Sequence, residues 1–482
     1  MTSTIRTESP AWTVDSTPKP DNPSPLLIEE VLYEIVSYLD RPTLHSCVQV
    51  SKIWYRASIR VLWAAVQWKS SSWEASFIPE FKRYGHYAVE LQDNFNADLD
   101  LIAKTCNSLR ELRLTWTSAT DITLQKVLRA SPKISSLYLF SCRYLTQDSL
   151  GIIGQLQSLR RLEIKNLTQA NEQTIVALLQ ACPLLDHLAL EDVRLDRVML
   201  DSLGATPLNL RMLSLTRSSP TGNLTRNLLR NSPQLLEFSL ARNLHTVLTR
   251  EDVLPLRDMY KHLFNLNLES CKAITTDALL ALFYTCPQLE RVNVSGTMMD
   301  DAALDVLAIN CPKIFSINIS WCSQISDQGL SRFLRSYHGL RYLNITSASL
   351  FSASIFEEPA WACTELETLI MTGMDMTRPY LSPQANHALM FHQLGRLSKL
   401  QDLALGGPYM DLQLSAGLAQ LEGLVSLHSI RITQLQTALA EDEIRWFVTA
   451  WPTLRRAKFD NESLPRPWYR YFRRQRPHLV LG

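Results

Sequence analysis

Nine cysteines and ten histidines are the side chains of this 482-residue sequence best suited to hold a metal or act as nucleophiles. A zinc site wants cysteines paired at close spacing, and the sequence contains no CxxC. Instead the cysteines recur in register. Cys106, Cys182, Cys286, Cys311 and Cys363 each precede a short apolar alternation, and Cys142, Cys271 and Cys322 each follow one by three residues. Repeated positions of this kind predict buried packing residues rather than ligands or disulfides, since free Cys behaves as a small hydrophobe. Cys47 stands outside the pattern. The closest histidines, His387 and His392, are expected on a loop or helix surface. Asp300-Asp301 and Glu357-Glu358 are carboxylate pairs, but Asp300 and Asp301 sit where a helix begins, which predicts capping. No P-loop, GxGxxG, GxSxG or HExxH motif occurs, so neither a catalytic centre, a metal nor a cofactor is expected.

The elements that carry these residues repeat. Cys311–Leu330 contains one strand-like alternation around Ile317, a turn, and a Ser-Asp helix start. Equivalent strand centres are Leu112, Leu137, Leu162, Leu188, Leu213, Phe238, Leu266, Val292, Ile317, Leu343, Leu369, Leu403, Ile430 and, weakly, Ala457. Successive centres lie 25–28 residues apart, save one step of 34 between Leu369 and Leu403. A period in this range predicts a solenoid, because one such unit cannot bury its own apolar face. Helices are about 10 Å wide and strands about 4.8 Å apart, so the expected fold is α/β, a curved parallel sheet inside and helices outside. The turn residues resemble those of cysteine-containing leucine-rich repeats. Cys142, Leu145, Thr146 and Asp148 carry the likeness, as do Cys271, Ile274, Thr275 and Asp277, and Cys322, Ile325, Ser326 and Asp327.

Residues 1–24 are rich in Thr, Ser and Pro and predict a disordered arm; Ser9-Pro10 and Thr17-Pro18 are its phosphorylatable pairs. From Pro25 the pattern changes. Leu32, Ile35, Val36 and Leu39 stripe one helix; Leu44, Cys47 and Val48 a second; Ile53, Trp54, Ala57, Val61 and Leu62 a third. Three short helices are near the lower size limit for a domain, which leaves Leu26, Leu27 and part of the first stripe to meet a partner. Pro25–Trp63 resembles an F-box. Leu27, Glu30, Val31, Leu32, Ile35, Tyr38, Leu39, Asp40, Leu44, Cys47, Val50, Trp54, Leu62 and Trp63 fall on that pattern, with Ile28 in place of the usual Pro. The resulting division is an F-box at 25–64, a transitional cap at 65–107, about fourteen leucine-rich repeats at 108–460 and a C-terminal cap at 461–482. Within the transitional part, Ala64–Trp68 and Tyr87–Leu91 read as early, irregular strands.

The resemblance implies a substrate-recognition subunit of an SCF-type (cullin-RING) ubiquitin ligase. Its F-box would bind the Skp-family adaptor, and through it a cullin, by an apolar surface or its support: Leu26, Leu27, Val31, Leu32, Ile35, Leu44, Val50 and Trp54. The repeats would hold a protein substrate. The alternative is a non-catalytic scaffold whose F-box-like helices only cap the array. On the strand face Asn267, Asn293, Asn318 and Asn344 form a ladder that can bond a ligand or satisfy itself, and Trp116, Tyr138, Phe140 and Trp321 are aromatic anchors at or beside it. Gly373–Gln384 reads as an inserted, projecting loop. Arg466–Arg476 reads as a cap with its aromatics inward and its arginines in water, with nucleic-acid contact as the alternative. The formal net charge of +1 and the 20 % of charged residues give no field drawing the chain to nucleic acid or a membrane. No apolar run nears the roughly 20 residues of a membrane span. No signal-peptide pattern opens the chain, so a soluble intracellular protein, cytoplasmic or nuclear, is expected.

Overall fold

The computed structural model of the chain describes residues 29–68, 74–93, 98–167, 170–193, 195–196, 207–254, 260–346, 351–377, 382–435, 439–459 and 466–481. It divides into two compact units, one ending at His187 and including Asp192–Val198, the other comprising Leu188–Glu191 and the chain from Met199.

The first unit opens with three helices, α1 (Glu29–Ser37), α2 (Arg41–Cys47) and α3 (Lys52–Ala64). Local chemistry sets their ends. Glu29 and Glu30 lie in the first turn of α1, where carboxylates oppose the helix dipole favourably. Asp40 caps α2 by accepting from the Thr43 amide at 3.0 Å, and Pro42 stands in its first turn. Ser51 caps α3 through the Trp54 amide. Leu32, Val36, Leu44 and Ala57 form the core of this bundle, with Leu39, Ile53, Trp54, Val61 and Leu62 packed against it.

Helix α3 leads without a linker into β1 (Ala65–Trp68). Then follow α4 (Glu74–Tyr84), β2 (Glu90–Asp93), α5 (Leu99–Thr105), β3 (Glu111–Thr115), α6 (Asp121–Ala130), β4 (Ser136–Phe140), α7 (Asp148–Ile153) and β5 (Arg161–Lys165). These strands pair in parallel, with Val66 against Leu91, Leu91 against Leu112, Leu112 against Leu137 and Leu137 against Leu162. Repeat pairing therefore begins at Ala65, two strands earlier than the sequence period indicated. The Leu91–Leu112 step is only 21 residues, which sets these two early strands outside the 25-residue rhythm. The second strand starts at Glu90, because Gly85–Tyr87 forms a 3₁₀ turn instead.

In the second unit the centres Leu213, Phe238, Leu266, Val292, Ile317, Leu343, Leu369, Leu403, Ile430 and Ala457 pair one-to-one along a parallel sheet. The last pairing sets Ala457 against Leu481. This is a leucine-rich-repeat solenoid: each strand alternates buried and half-buried residues, and the helix after it packs its apolar stripe behind the sheet.

All nine cysteines are free and buried. Those after a strand donate to the preceding unit: Cys142 to the Leu114 carbonyl, Cys271 to Leu240 and Cys322 to Val294, the last two at 3.0 and 3.1 Å. Cys311, before its strand, donates to the Phe283 and Cys286 carbonyls. Burial pushes the thiols of Cys106, Cys286, Cys311 and Cys363 up to about 12, and those of Cys182 and Cys271 to about 11. The reactive species is the thiolate, which these sites suppress. Native chain mixed with a thiol reagent at pH 8 is expected to leave the repeat cysteines unmodified, whereas guanidinium exposes them all. Rapid labelling of any of them in the folded chain, read by mass spectrometry, would contradict this packing role.

A further link between units was not anticipated. The first-turn aspartate of one helix accepts from the turn residue of the next unit. Asp121 takes the Thr146 amide at 3.0 Å and its hydroxyl at 2.8 Å; Asp301 takes both groups of Ser326, and Asp327 both of Ser352. Asp300 alone performs the expected cap, accepting from Ala303. Burial pushes the Asp121 carboxyl up, but the bonds from Ser149 and Thr146 outweigh it and hold the group below the ordinary aspartate value. Such a group stabilises the fold above about pH 4 and loses that contribution as pH falls through its folded value. Asp121→Ala is expected to cost about 1–3 kcal/mol at pH 7. The gap from the wild-type chain in urea unfolding should narrow progressively below about pH 4; a gap independent of pH would contradict the assignment.

Candidate interaction surfaces

Two surfaces follow from this frame. The first is on the three-helix segment. Packing Leu32 and Val36 inward turns the rest of α1 outward. Val31 and Ile35, one helical turn apart, are each 38 % exposed; Tyr38 is 81 % and Val50 59 % exposed. Among the described residues nothing covers these large apolar side chains, which is a high exposure for so small a bundle. Of the residues expected for partner binding, Val31, Ile35 and Val50 lie on this surface. Leu32 and Leu44 are core, and Trp54 is half-buried against it. Ile35 thus leaves the core stripe on which the sequence period had placed it. Leu26 and Leu27 lie outside the described residues.

A family model described as F-box-like matches residues 29–66, which are α1 to α3 and the start of β1. The solenoid follows at once. The chain thus joins an F-box-like segment to a leucine-rich-repeat solenoid. Among solved structures, this chain is similar to a leucine-rich-repeat protein of Leptospira interrogans, at 14 % identity and a TM-score of 0.47, covering 86 % of this chain and 99 % of that one. It is also similar to a chain of the Rad7 and Elc1 complex of yeast, at 14 % identity and 0.47, covering 92 % and 98 %. An F-box-like segment joined to a leucine-rich-repeat solenoid is the make-up of a protein-interaction adaptor. Among the described residues no group of three or more His, Cys, Asp or Glu could hold a metal, and no helix is long and apolar enough to cross a membrane.

The second surface is the strand face. In the first unit, Tyr138 is buried: the Arg113 guanidinium lies 3.9 Å from its ring centroid and is itself paired with Glu111 at 3.0 Å. It is therefore no free anchor, which corrects the expectation. Phe140 is half-buried, edge-on to Tyr138. Trp116 is 59 % exposed, and in the second unit Trp321 is 57 % exposed. Both occupy the left-handed residue that closes a strand, at φ 58° and 60°. That position recurs at Ser141, Asn166, Asp192, Arg217, Arg242, Ser270, Gly296 and Gly373. The only sequence sign of it is the scatter of Gly, Asn and Asp, which tolerate positive φ.

The four asparagines lie side by side in register on neighbouring strands, but no hydrogen bond joins one to the next among the described residues. Each side-chain carbonyl accepts from its own chain two residues on: Asn267 from Glu269, Asn293 from Ser295, Asn318 from Ser320 and Asn344 from Thr346, at 3.0–3.2 Å. This Asx-type turn fixes the strand end. Among the described residues the amide groups of Asn267, Asn318 and Asn344 have no partner, so the ladder presents donors only.

Other expectations change similarly. His387 is fully buried in the helix Pro383–Gly395, its Nε2 accepting from the Asp411 amide at 2.9 Å; His392 is exposed. The described start of the 373–384 stretch does not project, for Met374 and Met376 are fully buried, while residues 378–381 lie outside the described residues. In the C-terminal helix (Arg466–Gln475) Phe472 is buried as expected. Beyond it Arg476, expected in water, donates to the Val448, Trp451 and Pro452 carbonyls and so fastens the last turn.

Proposed function

We propose that this protein is the substrate-recognition subunit of an SCF-type ubiquitin ligase. The F-box-like helices bind a Skp-family adaptor, and through it a cullin, while the strand face of the repeats binds a protein substrate. The observation that carries this reading is the set of exposed apolar side chains, Val31, Ile35, Tyr38 and Val50, on the segment matched by the F-box-like model. Leu26 and Leu27 are assigned to the same surface, with Leu32, Leu44 and Trp54 as its support. On the repeats, Trp116, Trp321, Asn293 and the amide groups of Asn267, Asn318 and Asn344 are assigned to substrate, with Phe140 at the edge. The chain supplies no catalytic group in this scheme. It raises the effective concentration of a substrate lysine beside a charged ubiquitin-conjugating enzyme.

One observation favours a second reading, in which the F-box-like helices only cap the array. Trp63 of α3 stacks on Phe77 with ring centroids 5.7 Å apart and packs on Phe81 and Tyr84, and Tyr55 bonds Tyr84 through their hydroxyls. Co-expression of the full chain with a Skp-family adaptor separates the two. Stoichiometric co-purification is expected for the ligase subunit. Its absence, with the chain folded, sinks that reading in favour of the cap.

A further inference from the structure

The strand face ends in an uncompensated basic cluster. On the strand Ser429–Leu435, Ile430 and Ile432 point into the core, so Arg431 points out. On the neighbouring strand Arg456–Phe459, Ala457 and Phe459 are buried and Arg456 and Lys458 point out. The register sets Arg431 directly against Lys458 and Ser429 against Arg456. Two cations thus face each other across about 4.8 Å of sheet, with a third one pleat along. All three are exposed. Among the described residues none of their side chains has an ion pair or hydrogen bond. Asp402, on the next strand of this face, pairs in register with Ser429 rather than with any of the three, and makes no ion pair among the described residues.

Elsewhere along the repeats, several cations are matched by carboxylates, and the exposed Arg161 and Arg291 lie in register with uncharged residues of the preceding strand. Arg113 pairs with Glu111 in the first unit, and Arg217 with Glu191 and Arg242 with Glu269 in the second. Like charges directly opposed on a sheet repel and reduce stability. A face that sets three cations together on two neighbouring strands, with no carboxylate paired to them among the described residues, is complementary to a negative ligand. Backbone on either side is flat parallel strand, and Ala404, in register with Arg431, leaves a low floor beside it. An extended chain can lie on such a surface.

We propose that Arg431, Arg456 and Lys458 bind an acidic peptide segment, its carboxylates or phosphoryl groups bridging the opposed pair. This rests on the reading of the strand face as the substrate surface and names the substrate's chemistry. Arg431 offers a planar fork for bidentate contact, and Lys458 a point charge beside it.

The test is fluorescence anisotropy on the purified full-length chain. The probes are a short labelled peptide rich in Glu, its phosphoserine counterpart, the isosteric Gln peptide, and a single-stranded DNA of equal charge. The two acidic peptides are expected to bind and the Gln peptide not, with binding weakening as salt rises toward the regime where exposed charges are screened within about 8 Å. Whichever of Glu or phosphoserine binds more tightly identifies the anion. Arg431→Gln with Lys458→Gln is expected to weaken binding by about 100-fold, roughly tenfold per cation. Lys458→Glu alone should also abolish it while melting no lower than wild type, because the cross-strand repulsion is relieved. Unchanged affinity in the double variant overturns the site, and tighter binding of the DNA than of either peptide overturns the ligand class. Adaptor co-purification is read on the same preparations. Adaptor capture without peptide binding defeats this inference alone, and peptide binding without capture defeats the ligase reading alone.

Discussion

Ile35→Glu combined with Val50→Glu is expected to abolish capture of a Skp-family adaptor while leaving the chain folded. Both side chains stand outside the bundle core, at 38 % and 59 % exposure, so a carboxylate at either meets water in the free protein. In a complex the same carboxylates would be buried unpaired. Truncating a central apolar residue of an interface typically costs 2 kcal/mol or more, and burying a charge costs more still. A loss of at least about 100-fold in affinity follows for the pair. Leu32→Ala is the wrong probe, although the sequence alone recommends it. Leu32 is fully buried, so its truncation should cost about 2–5 kcal/mol of bundle stability and remove binding indirectly. Isothermal calorimetry with purified adaptor, beside thermal unfolding of each variant, decides the matter. Undiminished binding by the doubly charged variant would remove this surface from consideration.

Asn243→Ala should produce the largest loss of stability of any single substitution on the turn side of the repeats. Asn243 is fully buried at the place where Cys271 stands in the next unit. Its carbonyl accepts from the Ser218 and Ser219 amides at 2.9 and 2.7 Å. Its amide donates to the carbonyls of Leu240, at 2.7 Å, and Leu215. Removing both ends leaves several backbone groups without partners, at about 1–3 kcal/mol for each one that water cannot reach, so about 3–5 kcal/mol in all. Asn243→Cys should recover part of this, since a thiol there can donate to the Leu215 carbonyl as Cys271 does to Leu240. Hydrogen exchange around Leu213 and Phe238 reports the effect locally, which suits an array whose units melt semi-independently. Equal protection in Asn243→Ala and wild type would contradict the assignment.

The repeat centres were legible because one physical rule, apolar alternation at a fixed period, acts on every unit. The pairings from Leu112 to Leu162 and from Leu213 to Ala457 follow the spacing residue for residue. What escaped depends on tertiary partners. Whether Ile35 faces in or out depends on where α3 packs, and α3 claims Leu32 and Val36 instead. Tyr138 looks like an anchor until Arg113, one strand away, lies over it. The Asp121–Thr146 and Asp301–Ser326 links join residues 25 positions apart through a geometry that no local pattern contains. The early strands at Val66 and Leu91 were legible only as irregular ones outside the period, and the second starts at Glu90 rather than Tyr87.

The junction between α3 and β1 carries a consequence for geometry. Helix and strand meet at Ala64–Ala65 with no spacer, and Trp63 is clamped by Phe77 and Tyr84 of the first repeat unit. Anything seated on the F-box-like helices is therefore held at a set bearing to the opening strands, like a tool fixed in a chuck rather than on a cord. Lengthening α3 by one residue would not add slack. It would swing the seated partner by about 100°, one residue's share of a helical turn, and bring a different sector of the strand face around to meet it.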